Sequence, residues 1–368
     1  MLRSSRLLPS ALSASKAMAR LIGAAGLPSR LIQSGDLMGA SLAIQRAFSA
    51  SWPFQRAPAS APRQPTRRPA SAPSGACAQA PGSSFSPGSF ANTSASIDYK
   101  LFAPPAAGSR PLPLVVMLHG CSQDPDDFAT GTAMNRLASE MGFFVLYPAQ
   151  TRRANSHGCW NWFKPNHQKA GRGEPALIAG AARSVMASHL VDPDRVFVAG
   201  LSAGGSMAAI LGRAYPELFA AVGVHSGLAA GSAGDISSAL SAMSSGASGK
   251  LGASSAPTIV FHGDADRTVH PSNGSQVACA SAGPGSTLEA DELPDVGGRA
   301  VARAVHRDAN GRVTAELWEC AGAGHAWFGG DPAGSYADAR GPDASAEMIR
   351  FFMEHPLSAR HSTAPTPA

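Results

Sequence analysis

The sequence predicts an α/β fold with a mostly parallel central sheet and helices on both faces. Three observations lead there. Short apolar runs recur from Asp98 onward. Helical patterns separate most of them, the alternation that crossover connections between parallel strands leave in a sequence. One of the runs, Val196–Ala199, stops at Gly200-Leu201-Ser202-Ala203-Gly204, and an alanine-rich helical pattern starts at once.

In chain order, residues 1–51 hold short apolar stretches broken by Arg and Ser, with no acid before Asp36. They read as short helices, Asp36–Phe48 being the second, or as a targeting segment. No unbroken apolar stretch of the kind a secretory leader needs stands out. Residues 52–97 are rich in Pro, Ala, Ser and Gly. Such a composition buries too little apolar surface to offset chain entropy, so it reads as a disordered linker. Residues 98–356 form the folded body. Its strand candidates are Tyr99–Phe102, Leu114–Leu118, Phe143–Tyr147, Val196–Ala199, Ala220–Val224, Thr258–Phe261 and Ala315–Trp318. Its helix candidates are Asp126–Met141, Glu174–His189, Ala203–Tyr215, Ser272–Ser281 and Asp343–Glu354. Residues 357–368 read as a flexible, Pro-rich tail.

Composition excludes several function classes. The chain is 368 residues long, 44% hydrophobic and 15% charged, with a net charge of +5. Residues 1–97 carry ten Lys and Arg against one acid, so the body is left at about −4. A body of that sign lacks the basic clusters of a nucleic-acid-binding fold. No run of about 18 apolar residues predicts a membrane span. There are five cysteines and no C-x-x-C, so neither a zinc site nor any other metal or cofactor is expected. Cys121 and Cys159 lie in loops, Cys279 and Cys320 form a second possible pair, and Cys77 lies in the linker; free thiols throughout are the plain alternative.

Gly200–Gly204 carries the chemistry. A serine at a sharp strand-to-helix turn lifts its hydroxyl above the sheet's C-terminal edge, and the flanking glycines allow packing where a Cβ would clash. Ser202 is therefore the candidate nucleophile. A serine used only for its small size in a tight turn is the competing reading. A hydroxyl needs a base and an acid that orients the base. Among eleven histidines, His325 lies in a glycine-flanked loop after the last strand candidate. His119 and His262 each end a strand as His-Gly and read as structural or as part of an oxyanion loop; His225 is a weaker rival base. Asp266, just past Thr258–Phe261, is the candidate acid, with Asp264 as its rival. Two N–H donors for the developing oxyanion would come from Ala203, after the nucleophile, and Cys121, in the loop after an early strand. Trp160 and Trp162 follow Cys159, and Trp327 follows His325 by two residues, so they could wall an acyl pocket. Ordinary core packing is the competing reading. Arg172 and Glu174 read as a structural pair or a helix cap.

The stretches "LHGCSQDPDDFATGTAMNRLA", "CWNWF", "GRGEPALIAG", "DPDRVFVAGLSAGGSMAA", "HGDADRTVHPSNG" and "GAGHAW" together resemble the esterase/poly(3-hydroxybutyrate) depolymerase family, in its short-chain-length, type 1 catalytic domain. The resemblance covers about Asp98 to Pro356. It implies an α/β-hydrolase fold, carboxylic-ester hydrolysis by Ser202, Asp266 and His325, oxyanion donation by Cys121, a Cys121–Cys159 disulfide, a polyester or oligoester substrate, and export from the cell. A cytoplasmic enzyme is the alternative. The polymer-degrading members of the family usually carry a substrate-adsorbing module after the catalytic domain. With only a short tail after Pro356, soluble oligomers are expected to be cleaved better than solid polymer. A feruloyl or acetylxylan esterase would use the same machinery. A binding or granule-associated protein on a hydrolase scaffold is the rival from another class.

Overall fold

The computed structural model describes residues 81–249 and 251–361. The short helices expected in residues 1–51, and Cys77, lie outside the described residues.

One ten-stranded sheet forms the centre, in the order β1-β2-β4-β3-β5-β6-β7-β10-β9-β8. Six strands run parallel: β4 (Phe144–Ala149), β3 (Leu112–Leu118), β5 (Val191–Leu201), β6 (Ala221–His225), β7 (Thr258–Gly263) and β10 (Val313–Cys320). Every residue of β3, β6 and β7 is buried. Such strands read as continuous apolar runs because helices cover both of their faces. An antiparallel pair closes each edge: β1 (Ser84–Ala91) with β2 (Ser96–Ala103), and β9 (Val301–Arg307) with β8 (Thr287–Leu293). This is the expected α/β-hydrolase architecture.

The helices are α1 (Pro125–Thr132), α2 (Met134–Met141), α3 (Gly173–Ser188), α4 (Ala203–Ala214), α5 (Ile236–Ser245), α6 (Ser272–Ala282), α7 (Ala344–Glu354) and α8 (Leu357–His361). Phe352 of α7 stacks on Phe197 of β5 with ring centroids 4.8 Å apart, inside a core that also takes in Met117, Phe261, Trp318 and Met348. A small parallel pair, β11 (Trp327–Phe328) and β12 (Ala337–Asp338), lies outside the main sheet.

Four expectations need correction. The linker reading of 52–97 fails from Ser84, because β1 is an edge strand held by two anchors and needs few apolar residues. Phe85 packs edge-on against Tyr147, and Phe90 fills the space over Gly180 of α3, where a Cβ would meet its ring at 2.2 Å. The helix expected over Asp126–Met141 breaks at Ala133, which adopts φ 51°. The tail expected from residue 357 begins with α8. Ser358 N–H donates to Asp194 (2.7 Å), and the Arg360 guanidinium donates to the carbonyls of Pro216 and Phe219 (both 2.8 Å). Cys279 is exposed, Cys320 is buried, and both are free thiols; burial pushes the Cys320 thiol up to about 11.

Candidate active site

The C-terminal ends of β3, β5, β7 and β10 carry the candidate residues. Ser202 joins β5 to α4 at φ 57° and ψ −117°. A non-glycine residue there is strained, and the structure around it holds the strain. Its N–H donates to His225 O (2.8 Å). Ser206 Oγ donates to Ser202 O (3.1 Å) and accepts from Leu228 N–H (3.0 Å). The glycines work as the spacing implies. A Cβ on Gly200 would lie 2.4 Å from the Gly204 carbonyl carbon and 2.6 Å from Leu118 O. A Cβ on Gly204 would lie 2.0 Å from Leu118 O. Helix α4 thus begins in direct backbone contact with the end of β3, and its positive end points at Ser202.

His325 follows β10, and Asp266 follows β7, the neighbouring strand. His325 Nδ1–H donates to Asp266 Oδ2 at 2.7 Å. That bond assigns the tautomer and leaves Nε2 as the basic nitrogen. Asp266 is 5% exposed. Its Oδ1 accepts from the N–H groups of Thr268 (2.8 Å) and Val269 (2.9 Å), so both carboxylate oxygens are held. Burial would raise this carboxyl. The nearby His262 imidazole, the hydrogen bond and charge of His325, and the Val269 N–H outweigh burial and hold it well below the usual carboxylate range. Asp264, the rival acid, is occupied elsewhere: its Oδ1 accepts from Gly322 N–H (2.7 Å).

Three other histidines support this centre and are buried. His262 Nε2–H donates to Val269 O (2.9 Å) and lies 3.5 Å from Asp266 Oδ2. His225 Nε2 accepts from Phe328 N–H (3.1 Å), which ties the His325 loop to β6, and its ring stacks on Trp327 and Phe261. Burial, then the nearby His262 and His325, lowers its pKa well below the ordinary value. The rival base is therefore a neutral strut. His119 accepts from Gln150 N–H through Nε2 (3.1 Å) and donates to Gly120 O through Nδ1 (2.8 Å), shaping the loop after β3.

That loop holds Cys121. Cys121 is bonded to Cys159, 38 positions later. Ser122 N–H donates to His157 O (2.8 Å), a second tie between the same segments. Among the described residues, no hydrogen-bond partner occupies the N–H of Cys121 or of Ala203. Two such donors, one directly after Ser202 and one in the loop after β3, suit a developing oxyanion.

The tryptophans are corrected. Trp160, Trp162 and Trp327 are at most 2% exposed. The indole N–H of Trp160 donates to His119 O (3.0 Å), and that of Trp327 to Ser345 Oγ (3.0 Å). Trp160 and Trp327 thereby tie their loops to the end of β3 and to α7, Trp162 packs edge-on against Phe163, and rings so buried present no surface to an acyl chain. A large ring beside a catalytic position in sequence says nothing about which way it faces. Arg172 makes no side-chain cap on α3. Glu174 instead accepts from Gln150 Nε2 (2.6 Å), Asn161 Nδ2 (2.6 Å) and Asn161 N–H (2.7 Å), fixing the segment that carries Cys159. Sequence reasoning missed Gln123. Its Oε1 accepts from Gly120 N–H (2.9 Å), and its Nε2 donates to Ser335 O (3.0 Å). It joins the Cys121 loop to a segment 212 positions away, and no local signal announces such a link.

Residues 97–282 match the family described as Esterase PHB depolymerase. The chain is 32% identical over 238 residues to poly(3-hydroxyalkanoate) depolymerase C of Paucimonas lemoignei, covering 58% of this chain and 54% of that one. It is 31% identical over 151 residues to feruloyl esterase B of Thermothelomyces thermophilus, covering 41% and 50%. The chain thus spans about half the length of these curated relatives. The solved acetyl xylan esterase from Aspergillus awamori superposes with a TM-score of 0.51 at 21% identity, over 73% of this chain and 99% of that one, a likeness of fold.

Proposed function

The chain belongs to the esterase PHB depolymerase family, and from that premise we propose that it is a serine carboxylic-ester hydrolase acting on hydroxyalkanoate oligomers, polyester or short-chain esters. Two observations carry this reading: the 2.7 Å Asp266–His325 bond, and a serine at a positive-φ strand-to-helix joint at the same C-terminal end of the sheet. Ser202 Oγ attacks the ester carbonyl while His325 Nε2 takes its proton. Asp266 holds the imidazole tautomer and stabilises the imidazolium. The Cys121 and Ala203 N–H groups bind the tetrahedral oxyanion, each contributing about 3 kcal/mol to the barrier reduction. His325 returns the proton to the leaving alcohol. A water activated by the same imidazole then cleaves the acyl-enzyme.

A feruloyl- or acetylxylan-type esterase is the second reading, favoured by the likeness to feruloyl esterase B. It differs in substrate and not in machinery. The Cys121–Cys159 disulfide supports export, since such bonds persist in oxidising compartments. Among the described residues, no helix is long and apolar enough to cross a membrane.

The test is titration with an organophosphonate, followed by a panel of hydroxybutyrate oligomers, feruloyl esters and acetylated xylan. One covalent label per chain on Ser202 is expected, with oligomers cleaved fastest. Ser202→Ala removes a single hydroxyl and should abolish both labelling and turnover. Activity near wild type in that variant would remove Ser202 from the mechanism.

A further inference from the structure

Four large apolar or aromatic side chains are exposed among the described residues: Met141, Leu190, Leu288 and Tyr336. Met141 precedes β4 and Leu190 precedes β5, at the sheet's N-terminal end. Leu288 sits on the edge strand β8. Tyr336 alone accompanies the loops at the candidate active site. It is 39% exposed and adopts φ 52°.

A bulky residue in the left-handed region is a genuine outlier, retained only where its surroundings dictate it. Here they do so on both sides. Gly334 packs backbone to backbone on α1, where a Cβ would lie 2.4 Å from the Gly131 Cα. Ser335 is held by Asp127 through its N–H (2.8 Å) and hydroxyl, and by Gln123 through its carbonyl (3.0 Å). Tyr336 O then accepts from Trp327 N–H (2.7 Å). Through that bond, the Tyr336 Cα lies within about 11 Å of the His325 Cα, adding up standard backbone distances. The ring has no aromatic partner, and its hydroxyl no hydrogen bond, among the described residues. The scaffold therefore fixes a strained, partly exposed aromatic that is tied to both the Cys121 loop and the His325 loop. Asn or Gly would sit there with less strain.

We propose that Tyr336 is a specificity-determining residue that contacts the part of an oligomeric ester beyond the unit being cleaved. This rests on the ester-hydrolase reading of the site. The tryptophans that follow Cys159 and His325 in sequence, Trp160, Trp162 and Trp327, are sealed in the core, so they offer a substrate no face. Tyr336 does, with an apolar ring and a polar hydroxyl suited to a chain of ester units. A short acyl ester is consumed at Ser202 without reaching it.

The experiment compares wild type, Tyr336→Phe and Tyr336→Asn on a hydroxybutyrate trimer and on p-nitrophenyl acetate, with thermal unfolding of each. The phenylalanine variant should match wild type. The asparagine variant should raise KM for the trimer about fivefold, the size of one lost aromatic contact. It should leave kcat/KM for the acetate within about twofold and lower no melting temperature, since Asn tolerates the left-handed region. An unchanged trimer KM in Tyr336→Asn would overturn the proposal. So would equal losses on both substrates with a lower melting temperature, which would mark Tyr336 as a strut. A wild-type chain that hydrolyses neither ester would overturn the ester-hydrolase reading and this proposal with it, whereas a Ser202→Ala variant that hydrolyses both would move the reaction away from Ser202 and overturn the proposal's geometry.

Discussion

Replacing Gly204 by alanine tests the tightest contact in the active site. A Cβ there would lie 2.0 Å from Leu118 O and 2.6 Å from both Leu118 C and His119 O. A carbon and a carbonyl oxygen normally approach no closer than about 3.3 Å. The end of β3 and the start of α4 must therefore separate by more than about 1 Å. Leu118 and His119 lead into Gly120 and Cys121, so the shift reaches one proposed oxyanion donor, while the other, Ala203, moves with α4. A displacement of that size costs about 100-fold in rate. Loss of a donor costs about 100- to 1,000-fold, or roughly 3–4 kcal/mol. Overpacking should also remove about 1–3 kcal/mol of stability. The assay is kcat on a soluble aryl ester, normalised to sites titrated with an organophosphonate, alongside calorimetric unfolding. Gly234→Ala is the control, because nothing lies within 4 Å of a Cβ built there. If Gly204→Ala keeps kcat within threefold of wild type and melts as the control does, then close backbone approach is not why glycine stands at that position.

Asp266→Asn should lower kcat about 10,000-fold by losing the carboxylate that fixes the His325 tautomer; a loss under tenfold, measured on the same ester, would assign the acid elsewhere. Replacing Cys121 and Cys159 together by serine frees a 38-position loop, worth about 4 kcal/mol in the chain-entropy view. Urea unfolding should show most of that loss, and an unchanged midpoint would refute it. Burial lowers the pKa of His119 and of His225 below the ordinary 6.5, so the unfolded chain takes up protons first as pH falls. The stability tied to their neutral rings is complete above pH 6.5 and declines below it, by up to about 1.4 kcal/mol per pH unit for each ring. Asp266 is depressed from 3.8 and adds its own loss only in stronger acid. Melting temperatures should therefore fall from pH 7 to pH 5, and a flat profile would contradict the burial of two neutral imidazoles.

The parallel centre was legible because strands buried on both faces are written as unbroken apolar runs, such as Leu114–Leu118. A glycine-flanked loop after the last strand candidate pointed to His325 among eleven histidines, while chain order left Asp264 and Asp266 equal and the family resemblance carried Asp266; His325 and Asp266 lie 2.7 Å apart. The edges were less legible. Strand β1 has only Phe85 and Phe90 to mark it, and β8 has six exposed positions out of seven, so neither carries a core-facing pattern. Helix α5 rests on the Asp235–Ser238 capping box within a Ser- and Ala-rich stretch that reads as loop. The inward turn of Trp160 and Trp327 depends on His119 O and Ser345 Oγ as acceptors. The strain at Tyr336 depends on Asp127 and Gln123, more than 200 positions away. Contacts of that range leave no periodicity behind.

An open sheet has two free borders, and each is a template on which another chain could add a strand. Both borders here discourage such templating. On β1, Pro87 removes a donor from the backbone row, and Gly88 next to it weakens the strand. On β8, Glu289, Asp291 and Glu292 line an exposed strand, and two of them pair across the hairpin with Arg307 and Arg303. A second copy approaching β8 to β8 would bring carboxylate against carboxylate before any backbone hydrogen bond could form. Among the described residues, resistance to templated association thus resides in the two strands at the ends of the sheet order, away from the strands that carry the candidate triad.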